Sequence, residues 1–320
     1  MQTTAIVIPA AETIELRDVT LKPLGPADAL VRTTLTSISA GTERMLLRGV
    51  MPHPMLQFPV VPGYETVGEV IDAGADARGW IGKRVYVGGN YGFADVNPAF
   101  GGQSAHIVAP QTHLTDLAGL DDARGVMLAL AATALHGVDV ALGKTVADGA
   151  TPAVLILGQG VVGQLAARFA RARGAHVSVS ERVPERLRLS EMDAVLDTSA
   201  PTPPGPPSPP RFDIVIDASG KMDAIAPRLM DVKKGGRVVL LGYYDAITLP
   251  YEAVFLRELT LAASSQWAPG DIERARDAIA SGHIQLDALL THRMPAASAA
   301  QAYEIAFNDP CCVKMILEWP

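Results

Sequence analysis

Three glycines in the spacing Gly158-x-Gly160-x-x-Gly163 stand between an apolar run, Ala153–Leu157, and a segment with helical periodicity. That arrangement is what a chain needs to hold a pyrophosphate. Gly158 makes the tight turn out of the strand, Gly160 lets a phosphate approach the main chain, and Gly163 lets helix and strand pack closely. Val161 and Val162 lie in the first helical turn, whose free N–H groups and dipole favour negative charge. Glu181 follows Gly163 by 18 residues, at the end of the next expected strand, where a carboxylate accepts both hydroxyls of an adenosine ribose. The neighbouring Arg182 would meet a ribose 2′-phosphate, but Glu181 would repel it, so the pair favours NAD over NADP. Ser219 with Gly220, and Gly242 with Tyr243, close later strands, where open sheets place the nicotinamide half.

Positioning these residues requires alternating strands and helices, and the sequence supplies them. Strands are expected at 153–157, 175–180, 194–196, 214–218 and 235–242, with helices at 160–173, 184–191 and 224–232. Such alternation predicts βαβ units on a parallel, doubly wound sheet, an α/β fold. About the first 115 residues differ: short β-type runs at 5–8, 13–16, 29–38, 68–73, 84–88 and 104–109 are separated by Gly/Pro turns, predicting an irregular, barrel-like β domain. A helical stretch follows from Asp121 to Leu142. The tail carries expected helices at 272–281 and 297–307 and a strand at 313–317. The proposed division is 126–264 for the dinucleotide domain, and 1–125 with 265–320 for the other. Pro201–Pro210, PTPPGPPSPP, is refused by both helix and sheet and is expected to be an exposed loop.

Composition narrows the functional classes. With 320 residues, 48% of them hydrophobic and only 19% charged, the chain has the apolar surface to form real cores. A net charge of -7, without any dense Lys/Arg block, disfavours nucleic acid as a partner. Both cysteines are adjacent, Cys311 and Cys312, so no CxxC pair exists and a reducing, cytoplasmic location is expected. The first residues lack a basic start with an apolar core, and His136 and Asp139 interrupt the apolar stretch Val126–Leu142, so neither a signal peptide nor a membrane span is expected.

The order of these domains, with the stretches VPGYETVGEVIDAG (61–74), IGKRVYV (81–87), FGGQSAHIVAP (100–110) and GQGVVG (158–163), resembles the medium-chain dehydrogenase/reductase superfamily over nearly the whole chain. The resemblance implies a GroES-like β domain beside a Rossmann domain, and oxidoreductase activity. It also implies where zinc ligands would stand in the metal-dependent members. The cysteine-bearing motif is here Ser37-Ile38-Ser39-Ala40-Gly41-Thr42-Glu43, without cysteine; Tyr64 replaces the histidine of Gly-His-Glu; and residues 87–100 hold no cysteines for a structural lobe. No metal site is expected, since soft nitrogen and sulfur donors hold zinc. None of His53, His106, His113, His136, His176, His283 and His292 forms an HxxxH pair.

More narrowly, SISAGTE, VPGYE, the GYY turn at 242–244 and the ending DPCCVKMILEW resemble the zinc-lacking branch that serves bacteriochlorophyll synthesis. The resemblance implies oxidation of the 3-(1-hydroxyethyl) arm of a tetrapyrrole to 3-acetyl, with NAD as the hydride acceptor. The expected catalytic residues are Tyr64 at a vacated ligand position, Thr42 at the hydroxyl position of the family's proton relay, and Glu65, orienting Tyr64 or accepting the proton. Tyr64 would need a nearby positive charge to act as a base, since phenols ordinarily titrate near ~10. Glu43 is expected in a structural salt bridge. Tyr91, Phe93, Phe100, Tyr243 and Trp267, with Met51, Met55 and Leu56, are candidates to line a slot for a flat macrocycle. The last strand, 238–241, offers the edge by which family members pair, implying a homodimer. Two other readings stay open: a zinc-free quinone or enoyl reductase, and a dinucleotide-binding scaffold without turnover.

Overall fold

The computed structural model describes residues 1–52, 54, 56–143, 151–199 and 209–320. His53, Met55 and most of the expected proline loop, Pro201–Ser208, lie outside them. The chain divides into two compact units, Met1–Ala129 with Leu290–Pro320, and Leu130–Leu289. Residues 265–289 therefore group with the second unit, not with the first as expected. The helix Asp271–Ala280 is tied there by polar contacts: Arg274 pairs with Asp139 of the helix Leu128–Leu142, and an Asp271 oxygen lies 3.2 Å from His136 Nδ1.

The second unit carries a six-stranded parallel sheet in the order 194–197, 176–181, 153–157, 212–217, 232–240, 260–263. Its central strands are apolar on both faces, as expected where helices cover both sides of a parallel sheet. Two expected helices are shorter than their patterns suggest. Pro184–Leu187 is a single turn, and the stretch after Met222 changes to a 3₁₀ helix at Ala226–Asp231, where Pro227 cannot donate the next α-helical hydrogen bond. The sequence reading also missed the helix Tyr251–Arg257 and the strand Thr260–Ala263, which pairs alongside Val232–Leu240. Among the described residues, therefore, the sheet edge is Thr260–Ala263 and not 238–241.

In the first unit a seven-stranded sheet is built on the long strand Asp28–Ile38. Thr66–Ala73 runs antiparallel to it, with Thr36 opposite Thr66, and Met315–Glu318 runs antiparallel on its other side, with Met315 opposite Ile38. His292–Pro295, unanticipated because it is a short edge strand ending in proline, pairs parallel to the C-terminal strand. The helix Ala299–Asn308 covers this end through a cluster that includes Ile38, Ala302, Tyr303, Met315 and Leu317.

The pairing of these three strands carries Lys314, just before one of them, to Glu65, just before another. Lys314 is 1% exposed and Glu65 0%, yet they form an ion pair. Lys314 also donates to the Ile38 carbonyl at 3.0 Å, and the Ser37 hydroxyl donates to the same carboxylate oxygen. Removing one partner from such a pair leaves an uncompensated buried charge. Lys314→Met is expected to cost about 3–5 kcal/mol in denaturant unfolding, and Glu65→Gln added to it to recover part of that loss. A Lys314→Met protein as stable as the parent would contradict the assignment.

Candidate functional site

At the end of the strand Asp28–Ile38 the chain turns through Ser39 into the helix Ala40–Leu47. The same strand pairing sets Tyr64 beside that turn. The half-buried Tyr64 hydroxyl lies 2.5 Å from Ser39 Oγ and 3.3 Å from Thr42 Oγ1. Tyr86 donates to the Tyr64 carbonyl at 2.8 Å, fixing the backbone, and Phe100 packs edge-on against the phenol ring at 5.0 Å. Just before Tyr64, Gly63 has φ +96°, and a side chain there would come within 2.6 Å of Gln103. Only glycine suits this turn.

Tyr64 and Thr42 are thus brought together, whereas Glu65 is turned away. Its carboxylate faces Lys314 and Ser37, and its second oxygen has no hydrogen-bond partner among the described residues. Glu43 does not make the expected salt bridge. It accepts the Ser39 N–H at 2.9 Å and the Tyr303 hydroxyl, and burial pushes its carboxyl up to about 7. Burial, reinforced by the Glu65 charge, also lifts the Tyr64 phenol well above its ordinary range, against the opposing hydrogen bonds of Ser39 and Thr42. The phenol therefore stays protonated at rest. Ser39, Lys314 and Tyr303 were missed from sequence. A lysine inside the apolar ending VKMILEW was the one available signal.

Of the expected slot residues in this unit, Phe93 is buried in a core with Val7, Leu21 and Val61, so it cannot line an opening. Met51 and Leu56 pack against the Leu46 and Val60 cluster. Tyr91 is exposed and meets His113 edge-on, and Phe100 alone touches Tyr64.

In the second unit the glycine cradle has the shape the spacing demands. Gly158 has φ +84°, and a Cβ there would meet the Ser219 backbone at 2.8 Å. A Cβ on Gly163 would sit 1.9 Å from the Gly158 carbonyl, whereas one on Gly160 would meet nothing within 4 Å. Gly160 opens the helix Val161–Ala172 without any side-chain cap, leaving the first-turn N–H groups of Val161 and Val162 free of such a partner. These features fit a dinucleotide.

Glu181 lies at the end of its strand as expected, but its carboxylate already accepts the N–H groups of Gln159 at 2.7 Å, Arg182 at 2.6 Å and Val183 at 3.1 Å. It shapes the turn, with some acceptor capacity left. Ser219 and Gly242 lie on adjacent loops organised by a residue the sequence reading missed. Buried Asp217 accepts the Ser219 hydroxyl at 2.6 Å, the Gly220 N–H at 3.0 Å and the Tyr244 hydroxyl. Burial raises the Asp217 carboxyl, and burial followed by that carboxylate raises the Tyr244 phenol. A side chain on Gly242 would come within 2.5 Å of Gly220, so the two loops touch through their glycines. Tyr243 and Trp267 belong to this unit, and Tyr243 is exposed.

The donors around Tyr64 are hydroxyls, and Glu65 is committed to Lys314. Among the described residues no group of three His, Cys, Asp or Glu side chains converges as metal ligands. This set does not fit a zinc ion, which takes sulfur, imidazole and carboxylate donors.

Comparison with known proteins agrees with this architecture. Residues 25–119 match the alcohol dehydrogenase GroES-like domain, and residues 161–281 match the zinc-binding dehydrogenase family. The chain is 36% identical to the 2-desacetyl-2-hydroxyethyl bacteriochlorophyllide A dehydrogenase of Cereibacter sphaeroides, over 100% of this chain and 99% of that protein. The protein of the same name from Rhodobacter capsulatus is also 36% identical, with the same coverage. Among solved structures, a Sinorhizobium meliloti protein described as a zinc-binding dehydrogenase and bound to NADP aligns with a TM-score of 0.84 at 26% identity, covering 99% of each chain. An Escherichia coli alcohol dehydrogenase complexed with NADH aligns with a TM-score of 0.84 at 19% identity, again over 99% of each, which supports the fold. With a GroES-like unit, a Rossmann unit and full-length relatives at this identity, the chain belongs to the medium-chain dehydrogenase/reductase superfamily.

Proposed function

We propose that this enzyme oxidises the 3-(1-hydroxyethyl) group of a bacteriochlorophyllide to 3-acetyl, with NAD and without zinc. The observation that carries the reading is the hydroxyl cluster, Tyr64 between Ser39 and Thr42, at a place where no metal ligands converge among the described residues. The substrate class comes from the two full-length relatives. Glu181 beside Arg182 supports NAD over NADP, as a carboxylate there disfavours a 2′-phosphate.

Oxidising a secondary alcohol removes a hydride from carbon and a proton from oxygen. Bound in the glycine cradle by Gly158, Gly160, Val161, Val162 and Gly163, with Glu181 toward the ribose, NAD supplies the hydride acceptor. The chain's own residues handle the proton. Because the phenol is protonated at rest, Tyr64 donates to the substrate oxygen and stabilises its developing negative charge. The substrate's own proton passes to the Thr42 hydroxyl, which gives up its proton in the same motion, so the phenol keeps its proton throughout. Thr42 is half-buried, open enough to hand that proton to water. Glu65 holds the strand ends together and takes no part in the transfer. The tetrapyrrole's magnesium arrives with the substrate.

The sheet edge also supports a homodimer. Among the described residues Thr260–Ala263 has no strand on its outer side, Leu261 on it is exposed, and the preceding helix exposes Tyr251, Phe255 and Leu256. An open apolar edge of this kind calls for a partner strand, and a second copy supplies one of matching chemistry.

Tyr64→Phe is expected to lower turnover about 10²- to 10⁴-fold while leaving NAD affinity unchanged; turnover within twofold of the parent would remove Tyr64 from the mechanism. Glu181→Ala should weaken NAD binding about tenfold and shift the preference toward NADP, measured by fluorescence titration of both cofactors. An unchanged NAD-to-NADP ratio would overturn its role. Leu261→Asp should convert a dimer to monomer in sedimentation velocity, and a parent protein that sediments as a monomer would contradict the edge pairing.

A further inference from the structure

We infer that Ser39 is the positioning residue for Tyr64, a serine whose hydroxyl is withheld from its helix in order to hold the phenol. The inference rests on the reading in which Tyr64 acts on the substrate. Ser39 occupies the N-cap position of the helix Ala40–Leu47, where a serine side chain ordinarily accepts an N–H of the first helical turn. Here it makes no capping bond. Its hydroxyl instead stands 2.5 Å from that of Tyr64, and the residue is 5% exposed.

Other groups hold the helix start in its place. The Glu43 carboxyl accepts the Ser39 N–H at 2.9 Å, and the Glu43 N–H donates to the Ser39 carbonyl at 2.8 Å. This is half of a capping box, with the acid one residue later than usual. Tyr303 donates to the other Glu43 oxygen, which fixes the carboxyl from the helix Ala299–Asn308. On the preceding side, Lys314 binds the Ile38 carbonyl at 3.0 Å and Gln103 the Ser37 carbonyl at 3.1 Å. The Ser39 backbone is therefore clamped from both directions, and only its hydroxyl rotor remains free.

A phenol has one proton to donate and two acceptor sites. With Ser39 donating to the phenol oxygen, the Tyr64 proton is left to point at a substrate oxygen. At 3.3 Å, the contact of Thr42 is the longer one, so Ser39 sets the orientation. That orientation is not needed for folding, and this separates a positioning role from a structural one.

The test is a double-mutant cycle on the full chain with alcohol substrate and NAD. Ser39→Ala alone is expected to lower kcat about tenfold, with KM, NAD affinity and melting temperature close to the parent's. Ser39→Thr, which restores the hydroxyl, should recover most of the rate. In a Tyr64→Phe background, Ser39→Ala should change nothing further. A Ser39→Ala loss that is equally large with and without the Tyr64 hydroxyl would overturn the role of Ser39 and leave that of Tyr64 standing. An unimpaired Tyr64→Phe enzyme would overturn both.

Discussion

The ion pair between Glu65 and Lys314 is the constraint on which the candidate catalytic site rests. Two charges with essentially no exposure are costly to bury, and their mutual attraction offsets that cost only where geometry and extra hydrogen bonds are good. Both conditions hold: Ser37 donates to the carboxylate and the ammonium donates to the Ile38 carbonyl. Because the partners come from segments preceding two different strands, the pair fixes those strands against Asp28–Ile38. Tyr64 adjoins one partner, and Ser39 follows the strand that both partners hold. The same pairing keeps Glu65 from acting as a ligand or base, so the polar groups left around Tyr64 are hydroxyls.

Electrostatics then decides how those hydroxyls behave. Burial first, and then the Glu65 and Glu43 carboxyls, raise the Tyr64 phenol, so it holds its proton tightly and serves as a donor. Glu43 sits higher than an ordinary carboxyl because it is buried without a cation of its own, and its hydrogen bonds from Ser39 and Tyr303 moderate the rise. In the second unit the organising group is again a buried carboxylate. Asp217 draws Ser219, Gly220 and Tyr244 together and so shapes two loops at the strand ends, while the glycines leave the space into which a dinucleotide fits.

The nucleotide-binding unit was largely legible in sequence because its determinants are local. A glycine that must adopt positive φ, an apolar strand and the helix that follows lie within about twenty residues, and backbone sterics dictate all three. The first unit was legible as β structure and by resemblance, but its site was not. Tyr64 and Thr42 were found from their positions in a motif. Lys314 and Tyr303 reach Glu65 and Glu43 from about 250 residues away, through strand and helix packing that no spacing rule encodes. Nothing in its motif set Ser39 apart, and its bond to Tyr64 follows from the strand pairing that brings the two together. The strand Thr260–Ala263 was overlooked because four residues give too little alternation to register, and with it the true sheet edge.

The central claim, alcohol oxidation on a tetrapyrrole by hydroxyl groups in place of a metal, is tested most directly by one titration. Purified, chelator-treated protein would be mixed anaerobically with 3-hydroxyethyl bacteriochlorophyllide and NAD, following the long-wavelength band of the macrocycle together with NADH. The account predicts a red shift matched one-to-one by NADH, at a rate that added zinc does not change. Turnover that disappears on chelation and returns with zinc, or cofactor binding with no change in either band, would contradict it.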